Sequence, residues 1–94
     1  MKLLKVIKSD KSEKKWTAVF DIDGKEKRVH FGAKGYDDYT IGASDQQREN
    51  YKNRHKSGAT AKADTPNALS YYILWGDSKS RLKNIESFKK RFNV

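Results

Sequence analysis

The segment 31–40 contains the residues best suited to ligand chemistry. Lys34 stands between Gly32 and Gly35, so glycine amides and an ammonium group are adjacent and could bind an anion together. The phosphate-binding pattern Gly-x-x-x-x-Gly-Lys-Ser/Thr is absent, however, so a structural turn explains these glycines equally well. We therefore keep Lys34 as a candidate phosphate contact and the turn as its alternative.

Aromatic residues are unusually frequent in the same segment, with Phe31, Tyr36 and Tyr39. Aromatic side chains in a loop either anchor it in a core or offer stacking surfaces to a ligand. The sequence leaves both roles open. The expected strand register places Phe31 in the core, which favours anchoring for Tyr36 and Tyr39 as well.

Catalytic and metal-binding patterns are weak. The chain has no cysteine and only two histidines, His30 and His55, which excludes disulfides and cysteine-containing zinc fingers. Asp37 and Asp38 could hold a divalent cation for a nuclease. Adjacent aspartates also form turn hydrogen bonds or ion pairs, however, and the candidate partners of Asp38 are Arg48 and Arg54. We expect no enzyme activity, no metal site and no cofactor.

Charge is the strongest functional signal. The 94 residues contain 21 Lys and Arg against 12 Asp and Glu, a net charge of +9. The excess is +4 in residues 1–31, +1 in 32–58 and +4 in 59–94, so it is spread along the chain and is not a tail. Such a balance predicts a polyanion partner, double-stranded DNA by default with RNA as the alternative. The expected phosphate contacts are Lys34, Arg48, Lys52, Arg54, Lys56, Lys83, Lys89, Lys90 and Arg91.

A three-stranded antiparallel meander is predicted for the first third of the chain. Residues 2–8 fit a short strand, and residues 15–22 alternate between apolar and polar side chains. Asp23-Gly24 is the preferred two-residue hairpin turn, and it sets Trp16 opposite Phe31 on one apolar face.

Three helices are expected after the sheet. Ser44 and Gln47 form a capping box for a polar helix over about 45–56, anchored by Tyr51 alone, and residues 58–64 look like a flexible linker. Thr65-Pro66 then begins a buried helix that ends at Gly76. The last helix, about 80–92, is amphipathic and basic, with an apolar face of Leu82, Ile85, Phe88 and Phe92. The fold class is α+β, a single domain over residues 1–94 with one buried and two basic helices.

Three blocks of the sequence resemble a known family. They are Val29-x-Phe31-Gly32-Ala33-Lys34-Gly35-Tyr36-x-Asp38-Tyr39-Thr40, then Asp45-x-x-Arg48-x-x-Tyr51-x-x-Arg54-His55, and Ala68-Leu69-Ser70 with Leu74-Trp75-Gly76. In these blocks the chain resembles small basic proteins of giant DNA viruses and some large phages, which form a domain of unknown function. It departs from the family pattern at residues 41–43 and 58–64.

The resemblance implies a nucleoid-like protein that binds and compacts a viral genome. It would act inside the virion and in the cytoplasm of the infected cell, without a membrane partner and with self-association open. The longest apolar run, residues 71–75, is too short to span a bilayer, and no secretory signal is visible. The alternative is a structural or protein-interaction module of the virion that does not touch nucleic acid.

Overall fold

A three-stranded antiparallel sheet opens the chain, as predicted. The computed structural model describes all residues from 1 to 94 and arranges β1 (Lys2–Lys8), β2 (Lys14–Ile22) and β3 (Lys25–Ala33) in that order. Asp23 and Gly24 both have positive φ, 53° and 82°, which is the backbone of the tight hairpin turn expected there. Trp16 pairs with Phe31, so the predicted register is confirmed.

The helices follow the sheet and cover its inner face. A 3₁₀ turn (Tyr39–Ile41) precedes α1 (Asp45–Arg54), α2 (Ser57–Thr60), α3 (Pro66–Leu69), a π-helical segment (Ser70–Leu74) and α4 (Arg81–Phe92). α1 and α4 are the two basic helices, and α3 with the π-helical segment is the buried one. No helix is both long enough and apolar enough to cross a bilayer.

The core lies between the sheet and the buried helix, because both elements are apolar on their facing sides. Thr65 caps α3 by accepting a hydrogen bond from the Ala68 amide, and Pro66 occupies the first helical position, as the sequence predicts. The largest fully buried hydrophobic side chains are Phe20 and Phe31 of the sheet, Leu69, Ile73 and Leu74 of the buried helix, and Phe88 of α4.

Two expectations about the helical half are wrong. Residues 58–64 are not a flexible linker: residues 57–60 form α2, Gly58 and Ala63 are buried, and the Tyr72 hydroxyl donates to the Ala59 carbonyl at 2.7 Å. Leu82 does not lie on the buried face of α4, because 68% of it is exposed. Four-residue periodicity places Asn84 beside Phe88, and Asn84 takes the buried position.

Asn84 is buried because its amide satisfies backbone groups where the chain turns from the π-helical segment into α4. Its Nδ2 donates to the carbonyls of Ile73 and Ser78, at 2.8 and 2.7 Å, and its Oδ1 accepts from the Ser78 amide at 3.0 Å. A buried amide with three partners is as good a core residue as an apolar one, since none of these groups is left unpaired.

Replacement of Gly58 by alanine tests whether this region is packed. A Cβ at position 58 would lie 2.8 Å from the Cβ of Tyr71, so Gly58→Ala should lower the free energy of unfolding by about 1–3 kcal/mol. In a flexible linker or an open helix the same change would be neutral or stabilising. Urea denaturation measures the difference, and Thr60→Ala, at an exposed position of α2, is the matched control. Equal stabilities for the two variants would contradict the packing.

Candidate nucleic-acid interface

A single aromatic residue anchors the polar helix α1. The Tyr51 ring stacks on Trp75 with centroids 4.4 Å apart and planes 8° apart, and His55 stacks against Tyr51 at 4.1 Å. This confirms the expected role of Tyr51. The predicted capping box is also present, since the Ser44 hydroxyl accepts from the Gln47 amide and the Gln47 side chain accepts from the Ser44 amide.

Arg48 makes a second connection between α1 and the end of the buried helix. Its Nε donates to the Gly76 carbonyl at 2.8 Å, and its Nη2 pairs with the Asp77 carboxylate at 2.7 Å. The Tyr39 ring lies under the same guanidinium, 5.4 Å from its carbon, and the Tyr39 hydroxyl donates to Asp45 at 2.6 Å. Arg48 therefore joins α1 to the end of the buried helix, and its Nε and Nη2 groups already have hydrogen-bond partners.

A basic cleft lies between α1 and α4. It encloses about 530 Å³ and is floored by Tyr71 and Tyr72 of the π-helical segment. Lys52 of α1 enters it from one side, and Arg91 of α4 enters it from the other. We name it the α1–α4 cleft; its lining residues are Lys52, Tyr71, Tyr72, Gly76, Asp77, Asn84, Ser87, Phe88 and Arg91.

Both cations in the cleft rest on tyrosine rings and lack a carboxylate partner. Lys52 Nζ lies 4.1 Å from the Tyr71 centroid, and the Arg91 guanidinium lies 4.5 Å from that of Tyr72. Only four of the 21 basic side chains form ion pairs, and neither of these two is among them. Burial, followed by the positive charge of Arg48, lowers the pKa of Lys52; the Asp77 carboxylate, which also lines the cleft, opposes this shift, and Arg91 adds to it. The cleft therefore favours an added negative charge.

The exposed lysines of α4 divide between two sides of the helix. Residues three and four apart share a helix face, so Lys83 and Lys90 lie on the same side as Ser87, which lines the cleft. Lys89 lies on the other flank, seven residues after the exposed Leu82. Of the α4 residues proposed from sequence, Lys83, Lys90 and Arg91 thus border the cleft and Lys89 does not.

The remaining candidates from sequence lie elsewhere. Arg54 is exposed and lines a cavity on the opposite side of α1, while Lys56 is exposed in the turn after α1. Lys34 is exposed beside the β1–β2 turn, where its amide donates to the Glu13 carbonyl at 3.0 Å, and it lines neither cavity. The structure therefore brings two of the nine candidates, Lys52 and Arg91, into the lining of the cleft. Lys83 and Lys90 lie next to it, on the side of α4 that carries Ser87.

Two expectations about the 31–40 segment need correction. Asp38 does not tether Arg48 or Arg54; it is buried, and its Oδ2 pairs with Lys15 Nζ at 2.8 Å while its Oδ1 accepts from the Thr40 amide. Tyr36 is not a core anchor, since 73% of it is exposed. Tyr39, in contrast, packs against the core as predicted.

The carboxylates of the acidic pair have different environments, one exposed at Asp37 and one buried at Asp38. No group of three or more His, Asp or Glu side chains is placed to hold a metal ion.

Sequence reasoning missed the two tyrosines that floor the cleft. Tyr71 and Tyr72 lie in the segment that the sequence predicts as a buried helix, yet both are only half-buried. Two consecutive tyrosines on a buried helix indicate a boundary between core and solvent, because each carries a polar hydroxyl on an apolar ring.

Comparison with known proteins gives a family but no activity. A family of unknown function (DUF5754) matches residues 4–55, slightly more than half of the chain. An uncharacterized protein of Acanthamoeba polyphaga mimivirus is 39% identical over 80 residues, which span 77% of this chain and 80% of the viral protein. No solved structure matches the chain.

Replacement of Lys52 by methionine tests whether the charge of Lys52 lowers the stability of the folded protein. Methionine keeps the apolar stem and a sulfur contact with the tyrosine rings, and it removes a charge whose pKa the fold lowers. Because the pKa of Lys52 is lower in the folded protein than in the unfolded chain, the protonated side chain reduces the free energy of unfolding at neutral pH. Lys52→Met should therefore equal or exceed the wild type in free energy of unfolding at neutral pH.

This difference in stability should shrink as the pH rises toward 10.5, the ordinary pKa of lysine, because wild-type Lys52 then loses its proton. Urea denaturation at several pH values measures it. Lys56→Met, one turn along at an exposed position, removes the same charge and is the matched control. A Lys52→Met variant clearly less stable than Lys56→Met at neutral pH would contradict this account.

Proposed function

Since the chain belongs to the family of unknown function DUF5754, we propose a function from its own geometry: it binds the phosphate backbone of double-stranded DNA without reading its sequence. The observation that carries the proposal is the convergence of Lys52 and Arg91 in the α1–α4 cleft, on tyrosine rings and without a carboxylate partner. Like charges that approach each other across a cleft are stabilised when an anion enters it.

Backbone binding fits the side chains that border the cleft. Its flank on α4 carries Lys83, Lys90 and Arg91 with the Ser87 hydroxyl, all groups that contact phosphate oxygens, against the single carboxylate of Glu86. Of the four Gln and Asn side chains of α1, which could read base edges, Gln47 and Asn50 line the cavity on the other side of that helix, and Gln46 and Asn53 line neither cavity. The duplex contacts are therefore phosphate contacts, which fix position and carry no sequence information.

Compaction of a viral genome is the finer part of the proposal. To compact DNA, each unit must bridge two segments through a second basic face or through self-association. The register places Lys2, Lys5 and Arg28 together with Asp21 and Glu26 on the outer face of the sheet. Lys2 and Lys5 are exposed and form no ion pair, whereas Arg28 pairs with Glu26 at 2.8 Å. This face offers a second set of phosphate contacts, opposite the side of the sheet that the helices cover. Relatedness to a mimivirus protein supports placing this activity in a virion and in the infected cell.

A structural or interaction module of the virion is the second candidate. It rests on large aliphatic side chains that remain exposed, namely Leu82 of α4 at 68%, Ile41 at 60% and Leu4 at 54%. This candidate requires no DNA binding. Failure of the protein to bind duplex DNA at low salt would favour this second candidate over duplex binding.

Removal of the two lysine charges beside the cleft, at Lys83 and Lys90, should weaken duplex binding more than removal of two lysine charges far from it. We expect Lys83→Gln/Lys90→Gln to reduce affinity about tenfold, and to lower the slope of log affinity against log salt by about 2, because each phosphate contact releases condensed counterions. Lys25→Gln/Lys89→Gln removes the same charge at exposed positions outside the cleft. This control should lose about threefold or less, by long-range electrostatics alone.

Fluorescence anisotropy with a short labelled duplex at about 50 to 200 mM salt measures both variants. Equal losses in the two variants would reject the cleft as the binding site. Undetectable or salt-independent binding by the wild type would reject backbone binding itself. Mass measurement of the complexes in the same samples tests bridging, which predicts particles containing more than one duplex.

A further inference from the structure

A second cavity lies on the opposite flank of α1 from the cleft. It encloses about 690 Å³, within the range of small-ligand sites, between α1 and the segment that follows β3. We name it the α1–β3 pocket. The lining residues used below are Lys15, Tyr36, Gln47, Asn50, Arg54 and Trp75.

Tyr36 is placed as a free stacking surface at this pocket. Its ring is 73% exposed, although its loop is held in place, because Lys15 Nζ donates to the Tyr36 carbonyl and pairs with the buried Asp38 at 2.8 Å. An exposed aromatic ring on a tethered loop loses little conformational entropy when a flat ligand covers it. The Tyr51–Trp75 stack forms an aromatic wall of the same pocket.

Polar groups follow one another along the pocket side of α1. Gln47, Asn50 and Arg54 are three and four residues apart, so they share one helix face. The Gln47 oxygen accepts from the Ser44 amide, and the Asn50 oxygen accepts from Gln46 Nε2 at 3.1 Å. The free NH₂ groups of both side chains are therefore left as donors. Arg54 is exposed and has no ion-pair partner.

This combination matches one nucleotide that is not base-paired. We propose that the α1–β3 pocket binds a single unpaired thymine or uracil nucleotide of single-stranded nucleic acid. The base stacks on Tyr36, its carbonyl oxygens accept from the NH₂ groups of Gln47 and Asn50, and its phosphate pairs with Arg54. Aromatic stacking with cationic contacts to the backbone is the general chemistry by which proteins hold single strands.

Charge distinguishes the pocket from the α1–α4 cleft. Lys15 and Arg54 contribute two positive charges to the pocket, and Asp37 and Asp38 contribute two negative ones. The formal charges cancel, so stacking and hydrogen bonds supply most of the binding. Single-strand binding in the pocket should therefore depend on salt much less than duplex binding in the cleft does. The inference does not rest on the proposed duplex binding, since the two sites share no lining residue.

Tryptophan fluorescence provides a direct test. Trp75 lines the pocket, whereas Trp16 lies under the Arg81 guanidinium, 3.8 Å from its carbon, and lines neither cavity. In a Trp16→Phe background, oligothymidylate of about four nucleotides should change the Trp75 emission in a saturable way. Adding Tyr36→Ala should weaken this binding about tenfold, as expected for one stacked base. Arg54→Gln should weaken it severalfold.

Controls separate the two sites and the two proposals. Lys83→Gln/Lys90→Gln in the same background should bind the oligonucleotide with unchanged affinity, and Tyr36→Ala should bind duplex DNA as well as the wild type does. Both pocket variants alter exposed side chains, and their thermal unfolding checks that they fold. No change in Trp75 emission, or an affinity unchanged by Tyr36→Ala and Arg54→Gln, would overturn the pocket assignment. Either result would leave the proposal of duplex binding standing, provided that anisotropy still detects binding of duplex DNA.

Discussion

The stacking of Tyr51 on Trp75 is the contact on which the arrangement of this protein depends. From Asp45 to Arg54, Tyr51 is the only residue of α1 with a large apolar side chain, so the helix cannot bury an apolar stripe against the rest of the fold. Tyr51 lies flat on Trp75, one residue beyond the π-helical segment, and Arg48 adds a hydrogen bond to the Gly76 carbonyl. These two contacts attach α1 to the end of the buried helix. The cleft and the pocket lie on its two sides.

The two flanks of α1 have different chemistry because Lys52 lies on one flank, whereas the amides of Gln47 and Asn50 lie with Arg54 on the other. Lys52 points toward α4, where Arg91 faces it across Tyr72. Gln47, Asn50 and Arg54 point toward the loop that carries Tyr36. One flank thus favours dense negative charge, and the other favours a flat, polar ligand with one phosphate. A polar helix that contributes almost nothing to the core is thereby free to carry binding groups on both sides.

Local patterns predicted most of this fold. The Asp23-Gly24 turn set the register of β2 and β3, and Thr65-Pro66 set the start of the buried helix, because both depend only on neighbouring backbone conformation. Predictions failed where distant residues decide the outcome. Gly58 is buried because Tyr71 packs over it, and Asp38 pairs with Lys15, 23 residues away. For the candidate site, counting charges identified Lys52 and Arg91, but only the packing of α1 against the π-helical segment brings them together.

Chemical-shift mapping with a short DNA duplex tests the central claim most directly, since it locates the bound surface on the intact protein. The account predicts that backbone amide shifts at low salt concentrate at Lys52 of α1 and at Ser87 and Arg91 of α4. It also predicts that they fade together as salt is raised. Shifts that leave these residues unchanged and concentrate on the β2–β3 hairpin, or the absence of any shifts, would contradict it.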